Sequence, residues 1–468
     1  MRRLSRRSFL AASAALAAEP ALSQTSTPPA KKKAAPNAAT EPRTRPGPIV
    51  STGNDVVIIG AGAAGIAAAR RLAAGRLRFT VIEAAARIGG RCITDTTTFG
   101  IPFDRGAHWI HMPEINPVAK LATGTGLDLY PAPAGQRVRV GRRFARDSEM
   151  EQYLANLVRT QTAISDAARG RTDVACAAAV PKDLGDWRPA IEFFLGPFGC
   201  SKDLAEISAV DFSRSAERDI DAFCRQGFGT LLERLGADIP VELSLPVSRV
   251  GYGGRGLCEV ETAQGRIETR TVIVTASTGV LAANQIKFMP DLPKRHFDAV
   301  DQLKLGSFDH IALEIPSNPF GLRADELMIE KASGPRTAAL FANVSGSTLC
   351  IIDVAGRFGR ELSGKGEAEM IAFALDWLAN LYGADIKNAV RRRSATRWNI
   401  EPYVRGAFSA AAPGAQPARK TLMEPLNNRV WFAGEAAHET LWGTVGGAWE
   451  SGERAADSVM RVLSGRKA

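Results

Sequence analysis

The stretch DVVIIGAGAAGIAAARRL, residues 55–72, constrains the fold more than any other part of the chain. Asp55–Ile59 is a short, continuous, β-branched run, the composition of a strand buried on both faces of a parallel sheet. Gly60, Gly62 and Gly65 follow at the spacing GxGxxG, and an alanine-rich helix is predicted over Ala63–Ala74. The first glycine permits a tight turn, the second lets backbone approach a pyrophosphate, and the third lets helix pack closely on strand. The helix start, at Ala63 and Ala64, turns the positive end of its dipole toward phosphate charge. A second strand, Phe79–Ile82, ends at Glu83 and Ala84, and an acid there accepts both hydroxyls of an adenosine ribose. The pattern predicts an α/β, Rossmann-like dinucleotide-binding domain.

With 468 residues, the chain is long for a single core, so two domains or more are expected. The net charge is +10, but nine basic residues against two acidic ones fall within residues 1–46. The remainder is near neutral, and no nucleic-acid partner is expected. The segment MRRLSRRSFLAASAALAAEPALSQ has arginine pairs, a mildly apolar stretch at Phe9–Ala18, and small residues at Ala21 and Ser23. It reads as a secretory signal, and SRRSFL resembles the twin-arginine export signal. A signal over 1–23 and a disordered Pro-, Ala- and Lys-rich linker over 24–50 are expected. Twin-arginine export machinery is then a partner, and the bacterial periplasm is the expected location. The apolar stretch is too short for a stable membrane anchor. Six scattered cysteines without CxxC spacing read as buried thiols, and five histidines make a metal centre unexpected.

Past Glu83 the chain continues AAARIGGRCIT, where forked donors on Arg87 and Arg91 flank Gly89 and Gly90 and can reach a pyrophosphate. The glycine pair resembles the second fingerprint of two-dinucleotide-fold flavoproteins, which favours FAD over a nicotinamide. Four later stretches are DRGAHWIH (104–111), TASTGVL (275–281) followed by IKFMPDLP, WNIEPYVRGAFS (398–409) and WFAGEAAHETLWGTVGGAWESG (431–452). With the N-terminal fingerprint they resemble the flavin-containing amine oxidase family of monoamine oxidases, polyamine oxidases and lysine demethylases. The polyamine oxidase pattern is the nearest, and the motifs run in the family's order from residue 55 to about 460.

The resemblance implies an FAD-binding domain assembled from 51–110, 222–285 and 395–465. An inserted α+β substrate domain would take 111–221 and 286–394, with the active site between the two. Helices over 148–170 and 366–382 and strands over Ser307–Ile315 and Ser347–Val354 are predicted for that insert. Gly106, Ala107, His108 and Trp109 are placed along the cofactor, Val250 of the Arg249 strand beside the adenine, and Trp398 near the flavin. Gly434 turns a strand over Val430–Ala433 so that Glu435 bonds the ribityl chain. Thr444, Val445 and Ala448 open the last helix, to about Leu463, whose positive end favours reduced flavin. Phe408 matches one aromatic of the family's substrate cage, and the other falls on Thr444. Ala407 stands where monoamine oxidases carry the cysteine that bonds flavin, so FAD is expected to be non-covalent.

Two histidines join the catalytic candidates. His111 matches a histidine that polyamine oxidases place near the substrate, and a structural loop histidine is its equal alternative. His310 stands where the family has a lysine holding a water against flavin N5. Lys304 comes too early in the strand to replace it, and Asp309 alternates to the other face. An imidazole can hold a water, but with less assured positive charge at neutral pH. Rapid reaction with oxygen is therefore in doubt, and the acceptor is left as oxygen or another carrier. The expected function is FAD-dependent oxidation of a polyamine or other small amine, by hydride transfer to N5 and imine hydrolysis. A flavin-dependent desaturase or other carbon–carbon oxidoreductase, and a periplasmic electron-transfer flavoprotein, stay open as alternatives.

Overall fold

The computed structural model describes residues 49–215, 220–254 and 256–465. The expected export signal, and all but the last two residues of the expected linker, lie outside the described residues.

Ile49–Ile59 runs through an eight-stranded sheet, with Phe79–Ile82 parallel on one side and Gly265–Val274 parallel on the other. Val241–Glu242 extends the first side. Cys258–Thr262, Val247–Gly251 and Lys287–Met289 extend the second, and Val430–Phe432 also pairs with Gly265–Val274. The apolar run has a physical cause: alternate residues feed two cores. Val56 and Ile58 pack under the helices Ala63–Ala74 and Val445–Leu463. Val57 and Ile59 face the opposite core with Val250, Val260 and Leu422. The strand starts at Ile49, earlier than Asp55, because the long partner Gly265–Val274 offers a ladder to that point, with register irregularities before Asn54. The close helix crossing depends on Gly452, where a Cβ would stand 2.1 Å from the Ala64 carbonyl oxygen.

A second, mostly antiparallel sheet has seven strands. Its order is Arg393–Ala395, Phe308–Glu314, Leu349–Ala355, Ala339–Ala342, Glu326–Glu330, Gln136–Val140 and Arg143–Phe144. The helices Gly356–Lys365 and Glu367–Tyr382 cover one face through Ile311, Leu313 and Ile352. The helix Asp147–Ala167 and an aromatic cluster cover the other face, with Ala312 and Ile351. A small third sheet joins Ile110–His111, Asp221–Cys224 and Leu129–Pro131.

The packing departs from the expected segment limits. Lys287–Met289 pairs with Val247–Gly251, and Phe288, Ala299, Val300 and Leu303 are buried with Ala418 and Leu422. Residues 286–303 therefore belong to the core of the first sheet, and the chain enters the second at Phe308. The third sheet straddles the expected limits at 110/111 and 221/222. All six cysteines are buried. Among the described residues no helix is long and apolar enough to cross a membrane.

Candidate active site

Residues of both large sheets line a cavity of about 660 Å³, within the usual range for ligand sites, about 300–1,000 Å³. At one end lie Gly60, Gly62, Ala63, Ala64, Glu83 and Ala84, with Arg87, Gly89, Gly90 and Arg91 beside them. Gly65 does not reach the cavity; a Cβ there would stand 1.9 Å from the Gly60 carbonyl oxygen, so glycine alone lets the helix meet the strand. That helix has no side-chain cap and no acid in its first turn, which leaves its leading N–H groups to an anion. Glu83 accepts the Ala61 N–H at 2.7 Å on one oxygen and the Ala85 N–H at 2.8 Å on the other. Lone pairs remain on both oxygens for two hydroxyl donors. Arg87 donates to the Ile88 and Gly90 carbonyls at 3.1 and 3.0 Å, closing its own loop. Arg91 donates to the Ala407 carbonyl at 2.5 Å and to Glu435 at 3.0 Å. An open helix end, an anchored acid and two guanidinium groups fit FAD.

Val250 is a correction. It is fully buried in the sheet core, and the cavity wall is instead Leu245, Pro246 and Val247. The strand's entry end, not its middle, meets the ribose acid: Leu245 N–H donates to the Glu83 carbonyl at 2.9 Å.

Glu435 and Thr444 line the middle of the cavity, but their polar atoms have protein partners. One Glu435 oxygen holds Arg91; the other accepts the Ser409 hydroxyl at 2.8 Å and the Gly443 N–H at 3.0 Å. Burial alone would raise its pKa, but the Arg91 charge, the Ser409 hydroxyl and the Arg419 charge outweigh that and hold it below the ordinary value. Glu435 thus binds the 407–409 stretch to Arg91 while lining the cavity where a ribityl contact is expected. Thr444 donates to the Leu441 carbonyl at 2.7 Å and accepts the Gly447 N–H at 2.9 Å. It caps the last helix, and both its bonds are made within the protein. Behind Ser409, Arg419 pairs in a fork with Asp211 at 2.7 and 2.8 Å, both side chains fully buried.

Trp398, Phe408 and His310 line the other end. Trp398 Nε1 donates to the Arg105 carbonyl at 2.8 Å, and a Cβ on Gly106 would stand 3.0 Å from its ring. Phe308 and His310 face the cavity; Asp309 turns away, as strand alternation requires, and accepts the Trp398 N–H at 2.8 Å. His310 Nδ1 lies 2.6 Å from Oδ1 of Asp353, its direct cross-strand neighbour, and Nε2 lies 2.9 Å from the Gly106 carbonyl oxygen. A carbonyl oxygen only accepts, so Nε2 carries hydrogen, and the carboxylate takes the hydrogen on Nδ1. Burial would lower the His310 pKa, but the Asp353 charge and hydrogen bond, the Gly106 carbonyl and the Asp309 charge outweigh it and hold it above the ordinary value. Both His310 nitrogens are engaged, and the raised pKa favours the charged ring. The charge is more assured than expected, while neither N–H is left to hold a water.

His111 Nδ1 lies 2.8 Å from Asp221 Oδ1, which fixes its ring at the cavity wall. His108 Nδ1 lies 2.8 Å from Asp104 Oδ2, and its ring stacks on Phe223 at 4.5 Å. Gly106, Ala107, His108, Trp109, Gly434, Val445 and Ala448 all line the cavity. Sequence reasoning missed Phe194, Leu195, Phe198, Phe212 and Phe308, which also line it. The aromatic density of FFLGPFGC was the available signal. The helix Arg188–Phe193 passes into a wider π-type turn at Phe194–Phe198 around Pro197, so no helical period marks these positions.

Fold and donor set together define a flavin-dependent oxidoreductase. The chain matches the family of flavin containing amine oxidoreductases over residues 63–460 and belongs to it. FAD is the cofactor that its nucleotide-binding groups fit. A human lysine-specific histone demethylase 2 is 26% identical over 86% of this chain and 53% of its own length. For lysine-specific histone demethylase 1 homolog 3 of Arabidopsis thaliana the figures are 25%, 87% and 30%. The chain thus spans about half or less of these demethylases. Polyamine oxidase 5 of Oryza sativa subsp. japonica is 27% identical over 87% of this chain and 88% of its own length. Among solved structures, cyclohexylamine oxidase from Brevibacterium oxydans IH-35A superposes with a TM-score of 0.72 at 21% identity, covering 88% of this chain and 99% of that one. A putrescine oxidase bound to putrescine gives 0.72 at 19% identity, with 88% and 100% covered. At these identities the structural likeness speaks for the fold.

Proposed function

We propose that this enzyme removes a hydride from the α-carbon of a small amine, and that water then hydrolyses the iminium to a carbonyl compound and an amine. The observation that carries the reading is one cavity joining the nucleotide-binding groups at Gly62 and Glu83 to an end walled by Trp398, Phe408 and His310. When bound, FAD supplies the two-electron acceptor. Trp398 and Phe408 present apolar walls that orient the amine and exclude water. The His310 imidazolium adds a fixed positive charge where negative charge develops. Because neither of its nitrogens is free, His310 has no N–H to hold a water or pass a proton to oxygen. We read the physiological acceptor as a carrier such as a quinone or cytochrome. Ala407 has no thiol, so the FAD is held without a covalent bond.

Anaerobic mixing with primary, secondary and polyamines should bleach the flavin; if none does, the amine reading fails. Steady turnover with an artificial acceptor separates an enzyme from a mere electron carrier. Under air, peroxide should form slowly, and His310→Lys should raise the oxygen rate; fast stoichiometric peroxide from the wild type refutes the acceptor reading. The SRRSFL run supports twin-arginine export to a bacterial periplasm, and replacing Arg6 and Arg7 with Lys should leave precursor inside the cell.

A further inference from the structure

We propose, resting on the flavin-dependent reading above, that Asp353 is a positioning residue that acts through His310. By one cross-strand hydrogen bond it keeps hydrogen on both ring nitrogens, and so sets how the reduction potential of the bound flavin depends on pH. His310 and Asp353 are direct register partners on Phe308–Glu314 and Leu349–Ala355, with Nδ1 2.6 Å from Oδ1, and both are buried. The ring is held at the cavity wall from its other side too, with Nε2 2.9 Å from the Gly106 carbonyl oxygen. Its main chain is bonded twice to Thr396: the His310 N–H donates to the hydroxyl at 2.9 Å, and the carbonyl accepts the Thr396 N–H at 2.9 Å.

Neither neighbour of the ring can give it a hydrogen. A carbonyl oxygen and an ionised carboxylate only accept, whereas a neutral imidazole has one N–H and one bare nitrogen. Only the charged ring satisfies both contacts, and in a buried place an unsatisfied pair is costly. The ionisable groups on the elements packed around His310 are engaged elsewhere. Asp309, next on the strand, accepts the Trp398 N–H and the Thr396 hydroxyl. Arg105 pairs with Asp95 at 3.6 Å, and Asp104 with His108 at 2.8 Å. Arg397 donates to the Ser363 carbonyl at 2.9 Å, Arg360 to the Leu305 carbonyl at 3.1 Å, and Glu367 accepts the Ala395 N–H at 2.8 Å. Arg393 is exposed, and Arg91, which lines the cavity with Glu401, pairs with Glu435. A cation fixed at the cavity wall favours the negative charge of a reduced flavin. A group protonated in both redox states adds no proton to the couple.

The test is Asp353→Asn in the FAD-loaded enzyme. The amide offers Nδ1 either a donor or an acceptor, so both ring contacts survive while a neutral ring becomes acceptable. The midpoint potential is measured by chemical reduction, without an amine. From about pH 6 to 8 the wild type should take up one proton per two electrons, and the variant two, because its His310 is protonated only on reduction. The slope then doubles, and the reduced form is disfavoured about tenfold more for each pH unit. Nitrogen-15 histidine spectra of the oxidised wild-type holoenzyme, with His310→Gln identifying the signal, should show hydrogen on both nitrogens at about pH 7.5. An unchanged slope in the flavin-loaded variant, or a uniform drop in potential with the same slope, overturns the proposal. So does a bare His310 nitrogen in the wild type, a result that decides the matter even where the variant loses its flavin. Failure of every amine to reduce the flavin overturns only the amine reading.

Discussion

The two ends of the cavity are made of different material. The nucleotide end is backbone: glycines at 60, 62, 89 and 90, an uncapped helix start, and one acid fixed by two main-chain N–H groups. The other end is side chain, gathered from Trp109, the 194–198 turn, Phe212, the strand Phe308–Glu314, Trp398 and Phe408. A surface made by backbone is specified by a short stretch of sequence and tolerates almost no added atom. A surface made by side chains depends on long-range packing and can change residue by residue. Cofactor retention and amine choice should therefore separate under mutation.

The largest effect is expected where the ends are joined. Asp211→Ala leaves Arg419 charged and fully buried, and should cost about 3–5 kcal/mol of stability in a denaturant titration. A loss indistinguishable from that of an exposed aspartate would show that the ends are not coupled there. Gly65→Ala forces a Cβ against the Gly60 carbonyl. At about 1–3 kcal/mol for overpacking, FAD binding should weaken roughly ten- to hundredfold, measured by flavin titration of the apoprotein. Phe198→Ala should instead keep FAD and lower kcat/KM for ring-bearing amines by about tenfold. A variant that loses its flavin would break the separation. The smallest effect concerns pH. The raised His310 pKa stabilises the fold fully below the unfolded value, about 6.5, and that contribution is lost as pH rises through the folded value. Melting temperature followed upward from about pH 6 should fall more steeply in the wild type than in the His310→Gln/Asp353→Asn double variant.

The same contrast explains what was legible in the sequence. Gly60, Gly62, Gly65 and Glu83 were readable because only particular residues permit those contacts. The facing of His310 and Asp309 followed from strand period alone. The position of the adenine wall was misplaced by three residues, since a run such as ELSLPVSRV does not say which end of its strand meets a neighbour. Asp353 went unnoticed because its pairing with His310 depends on antiparallel register across 43 residues, which neither strand encodes by itself. The bonds of Thr444 and Glu435 to Gly447 and Ser409 were not readable, because they are capping or tertiary contacts, visible only once the loops are placed.

The parity of one strand sets the polarity of the chemistry. In Phe308–Glu314 the neighbours Asp309 and His310 present a carboxylate and an imidazole to opposite sides. Gaining one residue in the connector from Leu303 to Ser307 would bring Asp309 to the place of His310 and His310 to that of Ile311. A carboxylate would then face the cavity and an imidazole would be sealed among aliphatic side chains. An electron-withdrawing pocket would become an electron-rich one without any substitution, so connector length protects the enzyme's chemistry as firmly as residue identity does.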